Sequence, residues 1–126
     1  MLVLDSGGLS RLSQRNRRAA ALIEALQAEN VWPPVVPTIV LAESTTGAAR
    51  TDTNINRLLK SCDVEPVVPE ATARRAGYLR ARARRGSAVD ALLVALAEPG
   101  GTVLTGDAED LEALAAHADG VVVERV

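Results

Sequence analysis

Two aspartates in this sequence each follow a short apolar run. Asp5 comes directly after Leu2-Val3-Leu4, and Asp107 comes after Val103-Leu104-Thr105-Gly106. In open parallel sheets, functional groups collect just beyond the carboxyl ends of the strands, where the strand order reverses. We therefore expect both runs to be neighbouring central strands and their two aspartates to lie close together.

Two further acids stand beside strongly apolar stretches. Glu43 follows Ile39-Val40-Leu41-Ala42, and Asp90 precedes the apolar run 91–97, with no Lys or Arg within four residues of either acid. A carboxylate in apolar surroundings is costly unless it is paired, hydrogen-bonded or bound to a cation. We expect both acids to share a partly dry pocket with the two strand-end aspartates.

Several carboxylates in one pocket repel one another, and a divalent cation is the simplest remedy. All-oxygen ligands select Mg²⁺, Mn²⁺ or Ca²⁺ over Zn²⁺. Cys62 and His117 are the only residues of their types, so no Cys/His cluster argues for zinc. Gly7-Gly8 lacks the Lys-Ser/Thr of a phosphate-binding loop. Metal-assisted hydrolysis is therefore the chemistry that these residues favour.

Helix capping is the alternative for each acid. Asp5 could cap a following helix. The spacings Ser87-x-x-Asp90 and Asp107-x-x-Asp110 are those of capping boxes. A domain whose acids only cap helices would be a binding module and not an enzyme. Capping and metal binding are compatible, because an acid at a helix N-terminus is held in one geometry.

The positive charge is unevenly distributed, although the net charge is only −2. The segment 71–85 has no acid, whereas acids dominate from Ser87 onward. A basic segment beside an acidic one suits a metal-using enzyme that acts on a polyanion, and a solvated helix face is the alternative. The basic segment contains Arg74, Arg75, Arg80, Arg82, Arg84 and Arg85.

Length and composition indicate one domain spanning residues 1–126. No apolar run approaches the roughly 20 residues of a membrane span, so no membrane association is expected. Met1 is followed at once by apolar residues without a basic leader, which predicts no signal peptide. Cys62 stands alone and excludes an internal disulfide. Together these features predict a cytoplasmic protein.

Short apolar runs alternate with helical patterns, which predicts an α/β fold with a parallel sheet. Pro66 weakens the third strand and favours an edge position, and Gly86 is the expected cap of the basic helix. The helix 87–98 is apolar enough to be central. Strands are predicted at 1–4, 35–36, 64–68, 102–105 and 121–124, and helices at 16–30, 37–49, 51–61, 69–86, 87–98 and 107–117.

Four segments together, Leu2-Val3-Leu4-Asp5-Ser6, Leu41-Ala42-Glu43, 89–93 and 103–111, resemble the PIN-domain nucleases in order and spacing. Among these, the chain looks most like the VapC toxins of bacterial toxin–antitoxin pairs, and the resemblance spans the whole chain. It implies a three-layer α/β/α fold with a central parallel sheet of about five strands flanked by helices. It also implies an endoribonuclease that depends on Mg²⁺ or Mn²⁺.

The resemblance assigns roles residue by residue. Asp110 matches a further acid that some members use, and Ser6 and Thr105 match polar neighbours that steady the metal ligands. Gly8 departs from the family, in which a bulkier apolar residue is usual, and this predicts a more flexible first loop. The family's catalytic, metal-binding acids fall on Asp5, Glu43, Asp90 and Asp107.

The resemblance also implies partners. The substrate would be RNA, with the arginines of segment 71–85 holding its phosphates. A cognate VapB-like antitoxin would block the acidic pocket, and DNA would be contacted only through that antitoxin. A homodimer is implied, with Ile55 and Leu58 as a candidate apolar face unless they pack within the chain. A housekeeping RNA-processing nuclease is the nearest alternative; a phospho-accepting receiver domain would need a late Lys, and Lys60 comes too early.

Overall fold

A computed structural model describes all residues from 1 to 126. It contains one five-stranded sheet in the order β3-β2-β1-β4-β5, with every neighbouring pair parallel. The predicted α/β fold with a parallel five-stranded sheet is therefore confirmed. The strands are β1 Leu2–Leu4, β2 Val35–Pro37, β3 Asp63–Glu65, β4 Thr102–Thr105 and β5 Val122–Arg125.

Seven helices flank the sheet and provide the crossovers that parallel strands require. None of them is long and apolar enough to cross a lipid bilayer. The helices are α1 Ser6–Ser13, α2 Arg17–Ala28, α3 Thr38–Ser44, α4 Thr53–Leu59, α5 Glu70–Ala83, α6 Ala88–Ala97 and α7 Glu109–Ala115.

The core is centred on β1, β4 and α6. Val3 and Val103 pair in register and are fully buried. The apolar helix α6 packs against both strands, as its composition predicts, and buries Leu93 and Val94. The chain runs outward from β1 through β2 to β3 and then returns to the other side of β1 as β4. The strand order thus reverses between β1 and β4, the two strands that Asp5 and Asp107 follow.

Helix α1 was not predicted, because Gly7 and Gly8 lower the helix propensity of this segment. Two features stabilise it. Asp5 caps its N-terminus, with the carboxylate Oδ1 accepting a 2.6 Å hydrogen bond from the Gly8 N–H. Leu9 and Leu12, one turn apart, are buried in the core.

The glycines of α1 allow a close approach to β4. A Cβ on Gly8 would overlap the Leu104 carbonyl oxygen, and one on Gly7 would lie 2.7 Å from the Gly106 backbone nitrogen. The expectation that Gly8 loosens the first loop is therefore wrong: Gly8 lies inside a helix that packs directly on β4. This packing brings Asp5 against the end of β4.

Several element boundaries differ from those predicted. The helix predicted for 37–49 ends at Ser44, and the helix predicted for 51–61 covers only Thr53–Leu59. Strand β3 ends at Glu65, because Pro66 has no N–H with which to continue the ladder; its predicted edge position is confirmed. The last helix begins at Glu109 and not at Asp107.

The loop 45–52 between α3 and α4 is organised by a buried carboxylate. Asp52 accepts hydrogen bonds from the N–H and the hydroxyl of Thr46 and from the N–H of Gly47, at 2.9 to 3.1 Å. Burial by itself raises the pKa of Asp52, but these hydrogen bonds outweigh it and hold the pKa below its usual value. Asp52 therefore fixes the chain immediately after the helix that carries Glu43.

The end of α5 differs from the expectation that Gly86 caps it. The residue at the C-cap is Arg84, which adopts the left-handed conformation at φ 56°. Gly86 also has a positive φ of 91°, but it lies two residues beyond the cap and packs against Leu114. The turn thus uses both residues to direct the chain from α5 into α6.

Candidate active site

Asp5 is held at the carboxyl end of β1 by contacts to both of its carboxylate oxygens. Oδ1 accepts a hydrogen bond from the Gly8 N–H, and Oδ2 accepts one from the Thr105 hydroxyl. The Asp5 N–H donates to the Leu104 carbonyl at 3.2 Å, which continues the ladder between β1 and β4. The position of this carboxylate is thus set by two elements, α1 and β4.

Thr105 connects the two strand-end aspartates. Its side chain is fully buried, and its hydroxyl oxygen accepts a 3.0 Å hydrogen bond from the Asp107 N–H. The same hydroxyl lies 2.9 Å from the Asp107 carbonyl oxygen. A hydroxyl has one proton to donate, so Thr105 donates to either Asp5 or Asp107 at a given moment. The structure brings these three residues together.

Glu43 reaches the site from α3. The Ser6 hydroxyl, at the start of α1, donates to Glu43 Oε2 at 3.4 Å. The expectation that Glu43 sits in apolar surroundings is wrong: Val40 enters the core one turn earlier, whereas Glu43 is exposed to solvent. The apolar sequence before Glu43 therefore reflects the buried face of α3 and not the environment of the carboxylate.

Asp90 forms the predicted capping box at the start of α6. Its N–H donates to Ser87 Oγ at 3.0 Å, and its Oδ2 accepts from the Ser87 N–H at 3.1 Å. Asp90 is half-buried, and its negative charge contributes to raising the pKa of Asp5. The cap thus holds this carboxylate in one orientation beside the end of β1.

The pKa of Asp5 is raised above its usual value of 3.8. Burial is the largest cause, and the negative charge of Asp90 adds to it. The hydrogen bonds from Thr105 and Gly8 act in the opposite direction and offset part of the shift. Burial and the nearby Asp90 charge both disfavour the charged form of Asp5, and a bound cation would favour that form.

Asp107 is exposed, and the predicted capping box between Asp107 and Asp110 does not form. Residue Ala108 occupies the N-cap position of α7 without a side-chain bond. Asp110 instead accepts from Arg85 Nε at 2.8 Å, and the same guanidinium reaches Glu109 at 2.9 Å. Arg85 thus neutralises Asp110, whereas Asp107 has no cationic partner.

The four acids fit a hard divalent cation in donor type and charge. None of them forms an ion pair with Lys or Arg, and one oxygen of Glu43, of Asp90 and of Asp107 accepts no hydrogen bond within the chain. No three acidic, His or Cys side chains are close enough to form a metal site as they stand. Closing a coordination sphere would require Glu43 and Asp107 to rotate, which their exposure permits.

The arginines of α5 divide between the two ends of the sheet. Arg75 forms a bidentate pair with Glu98 at 2.8 Å, just before β4 begins, and Arg74 pairs with Glu70 at 2.8 Å. Both therefore lie toward the amino ends of the strands, away from Asp90. The structure does not bring Arg74 or Arg75 to the acidic site, by which we mean Asp5, Glu43, Asp90 and Asp107.

The second half of the basic segment leads from the end of α5 to the start of α6, which carries Asp90. Arg80 donates to the Gly86 carbonyl, and Arg85 pairs with Glu109 and Asp110. The side chains of Arg82 and Arg84 form no ion pair and no hydrogen bond within the chain; the Arg82 guanidinium lies 5.9 Å from the ring centroid of Tyr78. These two guanidinium groups are thus available to a ligand.

The apolar face considered for a homodimer is used inside the chain. Leu58 is only 6% exposed and belongs to the core, and Ile55 packs against that core. The alternative of intramolecular packing is therefore correct for this face.

The sequence signals that mark functional acids do not identify Gly7, Gly8 or Asp52, whose roles depend on remote contacts.

Comparison with known proteins gives one family. The sequence matches the family model of the PIN domain over residues 2–116. No curated protein matches the sequence.

Three solved structures share the fold. A chain of VapBC2 from Rickettsia felis, crystallised with a DNA fragment from their promoter, is 16% identical with a TM-score of 0.72, covering 99% of this chain and 98% of that chain. A chain of FitAcB from Neisseria gonorrhoeae is 22% identical with a TM-score of 0.65, covering 98% and 96%. PAE2754 from Pyrobaculum aerophilum is 15% identical with a TM-score of 0.63, covering 97% and 89%.

Proposed function

The chain belongs to the PIN domain family, and from this membership we propose that it is an endoribonuclease dependent on Mg²⁺ or Mn²⁺. We further propose that it is the toxin of a VapBC-type toxin–antitoxin pair. One observation carries the nuclease proposal: Asp5 and Asp107 follow neighbouring strands at the point where the strand order reverses, and Thr105 hydrogen-bonds to both. Glu43 and Asp90 approach the same point from α3 and α6.

The residues have distinct roles in this proposal. Asp5 and Asp107 would hold the cation most directly, and Glu43 and Asp90 would complete its ligand set, partly through water. A bound Mg²⁺ or Mn²⁺ would supply an activated water and would stabilise the leaving oxygen of a phosphodiester. Thr105 fixes the orientation of the Asp5 carboxylate. Ser6 does the same for Glu43, and Asp110 stands outside the shell because Arg85 holds it.

Substrate phosphates would be bound by Arg82 and Arg84. Neither side chain is paired with an acid. Arg82 lies in the last turn of α5 and Arg84 is its C-cap residue, so both come shortly before Asp90 in the chain. Guanidinium groups bind phosphate oxygens through paired N–H donors and need no base-specific contact. Their contribution to RNA binding should therefore weaken as the salt concentration rises.

An antitoxin partner is supported by the fold neighbours, because VapBC2 of Rickettsia felis is bound to promoter DNA in its crystal structure. We propose that a VapB-like antitoxin covers the four acids with a basic side chain, that DNA is contacted only through the antitoxin, and that the toxin forms a homodimer. Growth arrest on expression, relieved by the product of a neighbouring gene, would support a toxin. Normal growth would favour an RNA-processing nuclease of the same family.

The nuclease proposal is tested with labelled RNA and purified protein. Wild type should cut internal phosphodiester bonds when Mg²⁺ or Mn²⁺ is added, and chelation by EDTA should stop the reaction. Asp5→Asn should be inactive with an unchanged circular dichroism spectrum. Cleavage that persists in EDTA, or in folded Asp5→Asn, would exclude the proposed mechanism.

A further inference from the structure

The largest cavity of the molecule is not at the acidic site. It is a groove of about 660 Å³ between α1, α2 and α4. We call it the arginine groove, because both arginine and apolar side chains line it. Its lining includes Leu12, Arg15, Arg17, Ile23, Arg57 and Leu58.

The arginine side chains in and beside this groove have no acidic partner within the chain. The segment 6–23 contains four arginines and no acid. None of the four forms an ion pair or a side-chain hydrogen bond, and Arg57 donates only to the Ser13 carbonyl, at 3.1 Å. In the basic helix α5, by contrast, most arginines are satisfied within the chain. The four free arginines are Arg11, Arg15, Arg17 and Arg18.

One end of the groove, at Asn16, lies toward the same edge of the sheet as the acidic site. The N-terminal part of α2, at Asn16 and Ala19, lies beside Val126, which follows the carboxyl end of β5. The other end of α2, at Leu26, lies beside Met1 at the amino ends of the strands. Helix α1 begins next to Asp5 and leads to the groove over eight residues, or about 12 Å at 1.5 Å per residue.

The chemistry of the groove suits a single-stranded polynucleotide. Unpaired guanidinium groups such as those of Arg15 and Arg17 bind phosphates, and their planes can also stack on the face of an unpaired base. An acidic protein segment has the same charge. Helix α1, however, joins the groove to Asp5, so an RNA strand that is bound at the acidic site can continue along α1 into the groove. We infer that the arginine groove binds single-stranded RNA next to the scissile bond. This inference rests on the proposed ribonuclease activity and names where that substrate lies.

Binding of a short, fluorescein-labelled single-stranded RNA, measured by fluorescence anisotropy in EDTA, tests the groove without cleavage. Arg17→Ala and the double variant Arg15→Ala/Arg17→Ala are compared with Arg74→Ala. Arg74 is a matched control, since it is exposed and lies toward the opposite edge of the sheet. The Arg15 and Arg17 side chains form no hydrogen bond or ion pair within the chain, so the variants should have the melting temperature of wild type.

The double variant should raise Kd about tenfold at ~0.1 M salt, and the slope of log Kd against log salt should fall by about 0.7 for each phosphate that is no longer bound. Arg74→Ala should stay within about twofold of wild type, because charges beyond ~10 Å are screened at this salt concentration. Equal losses in Arg17→Ala and Arg74→Ala, or none in either, would overturn the inference. The inference would also be overturned if the groove variants bound a poly-glutamate peptide more weakly than wild type does but bound RNA as tightly as wild type.

The same proteins separate this inference from the proposed function. If wild type cuts RNA with Mn²⁺ while the groove variants bind RNA as wild type does, only the groove assignment fails. If the variants lose RNA binding but wild type cuts RNA with neither metal, the ribonuclease proposal fails and the groove remains an RNA site. With both correct, the double variant should raise KM and leave kcat close to that of wild type.

Discussion

Thr105 and Asp5 are one hundred residues apart in the chain, and the hydroxyl of Thr105 donates a hydrogen bond to the carboxylate of Asp5. The contact exists because β1 and β4 pair in parallel register, with Leu4 opposite Leu104, so that the residues after both strands meet. Thr105 is fully buried and also accepts from the Asp107 N–H. It is therefore the residue through which the positions of the two aspartates are coupled.

Thr105→Val should lower RNA cleavage about 10- to 100-fold, the usual effect of removing a hydrogen bond that orients a metal ligand. Thr105→Ser keeps the hydroxyl and should recover most of the activity. Thr102→Val is the matched control on the same strand, because the Thr102 hydroxyl makes no hydrogen bond within the chain. Cleavage rates with Mn²⁺ and melting curves are measured together; a rate loss in Thr105→Val that Thr105→Ser does not restore would argue against an orienting hydroxyl.

Asp107→Asn should reduce cleavage by a hundredfold or more, on the order of the loss of a principal catalytic interaction. Asp110→Asn should change it by less than about tenfold, because Arg85 already holds that carboxylate away from the site. Titration calorimetry with Mn²⁺ provides a second readout, in which the binding heat disappears for Asp107→Asn and is kept for Asp110→Asn. The opposite ranking would place Asp110 in the metal shell.

Gly8→Ala should destabilise the protein by about 1–3 kcal/mol, the usual cost of overpacking, because its Cβ would overlap the Leu104 carbonyl oxygen. Gly77→Ala in α5 is the control, since nothing lies within 4 Å of a Cβ at that position. That variant should gain up to about 1 kcal/mol from helix propensity. Urea unfolding measures both free energies. Equal stability of the two variants would show that α1 does not need close contact with β4.

Asp52→Asn should lower the melting temperature at neutral pH, because the carboxylate accepts its hydrogen bonds best when charged. Since folding lowers the pKa of Asp52 below 3.8, its contribution is present above that pH and is lost as the pH falls through the folded pKa. The difference in melting temperature between wild type and Asp52→Asn should thus be largest above about pH 5 and should shrink toward zero as the pH falls below 3.8.

Asp63→Asn is the control for this measurement, because the exposed Asp63 side chain accepts no hydrogen bond within the chain. Its difference from wild type should stay flat over the same pH range. A difference for Asp52→Asn that does not change with pH would mean that the loop 45–52 is held by shape and not by the charge of Asp52.

The sequence alone determined the features that depend on neighbours along the chain. The bounds of β4 agree with its apolar run, and the parallel sheet follows from alternating strand and helix patterns. The capping box between Ser87 and Asp90 follows from their spacing. Hydrophobic periodicity and capping act over a few residues, so their signals are complete within a short window. The placement of Asp5 and Asp107 after central strands is of the same kind.

Only the tertiary structure decided the features that depend on remote partners. Helix α1 contains two glycines and forms because β4 lies against it, so local propensity gives the opposite answer. The exposure of Glu43 depends on where α3 ends at the surface. The arginines of α5 look alike in sequence, but Arg85 meets Asp110 and Arg82 meets no acid. The free energy of burial or pairing is set by groups far away in the chain, and only the folded molecule brings those groups into contact.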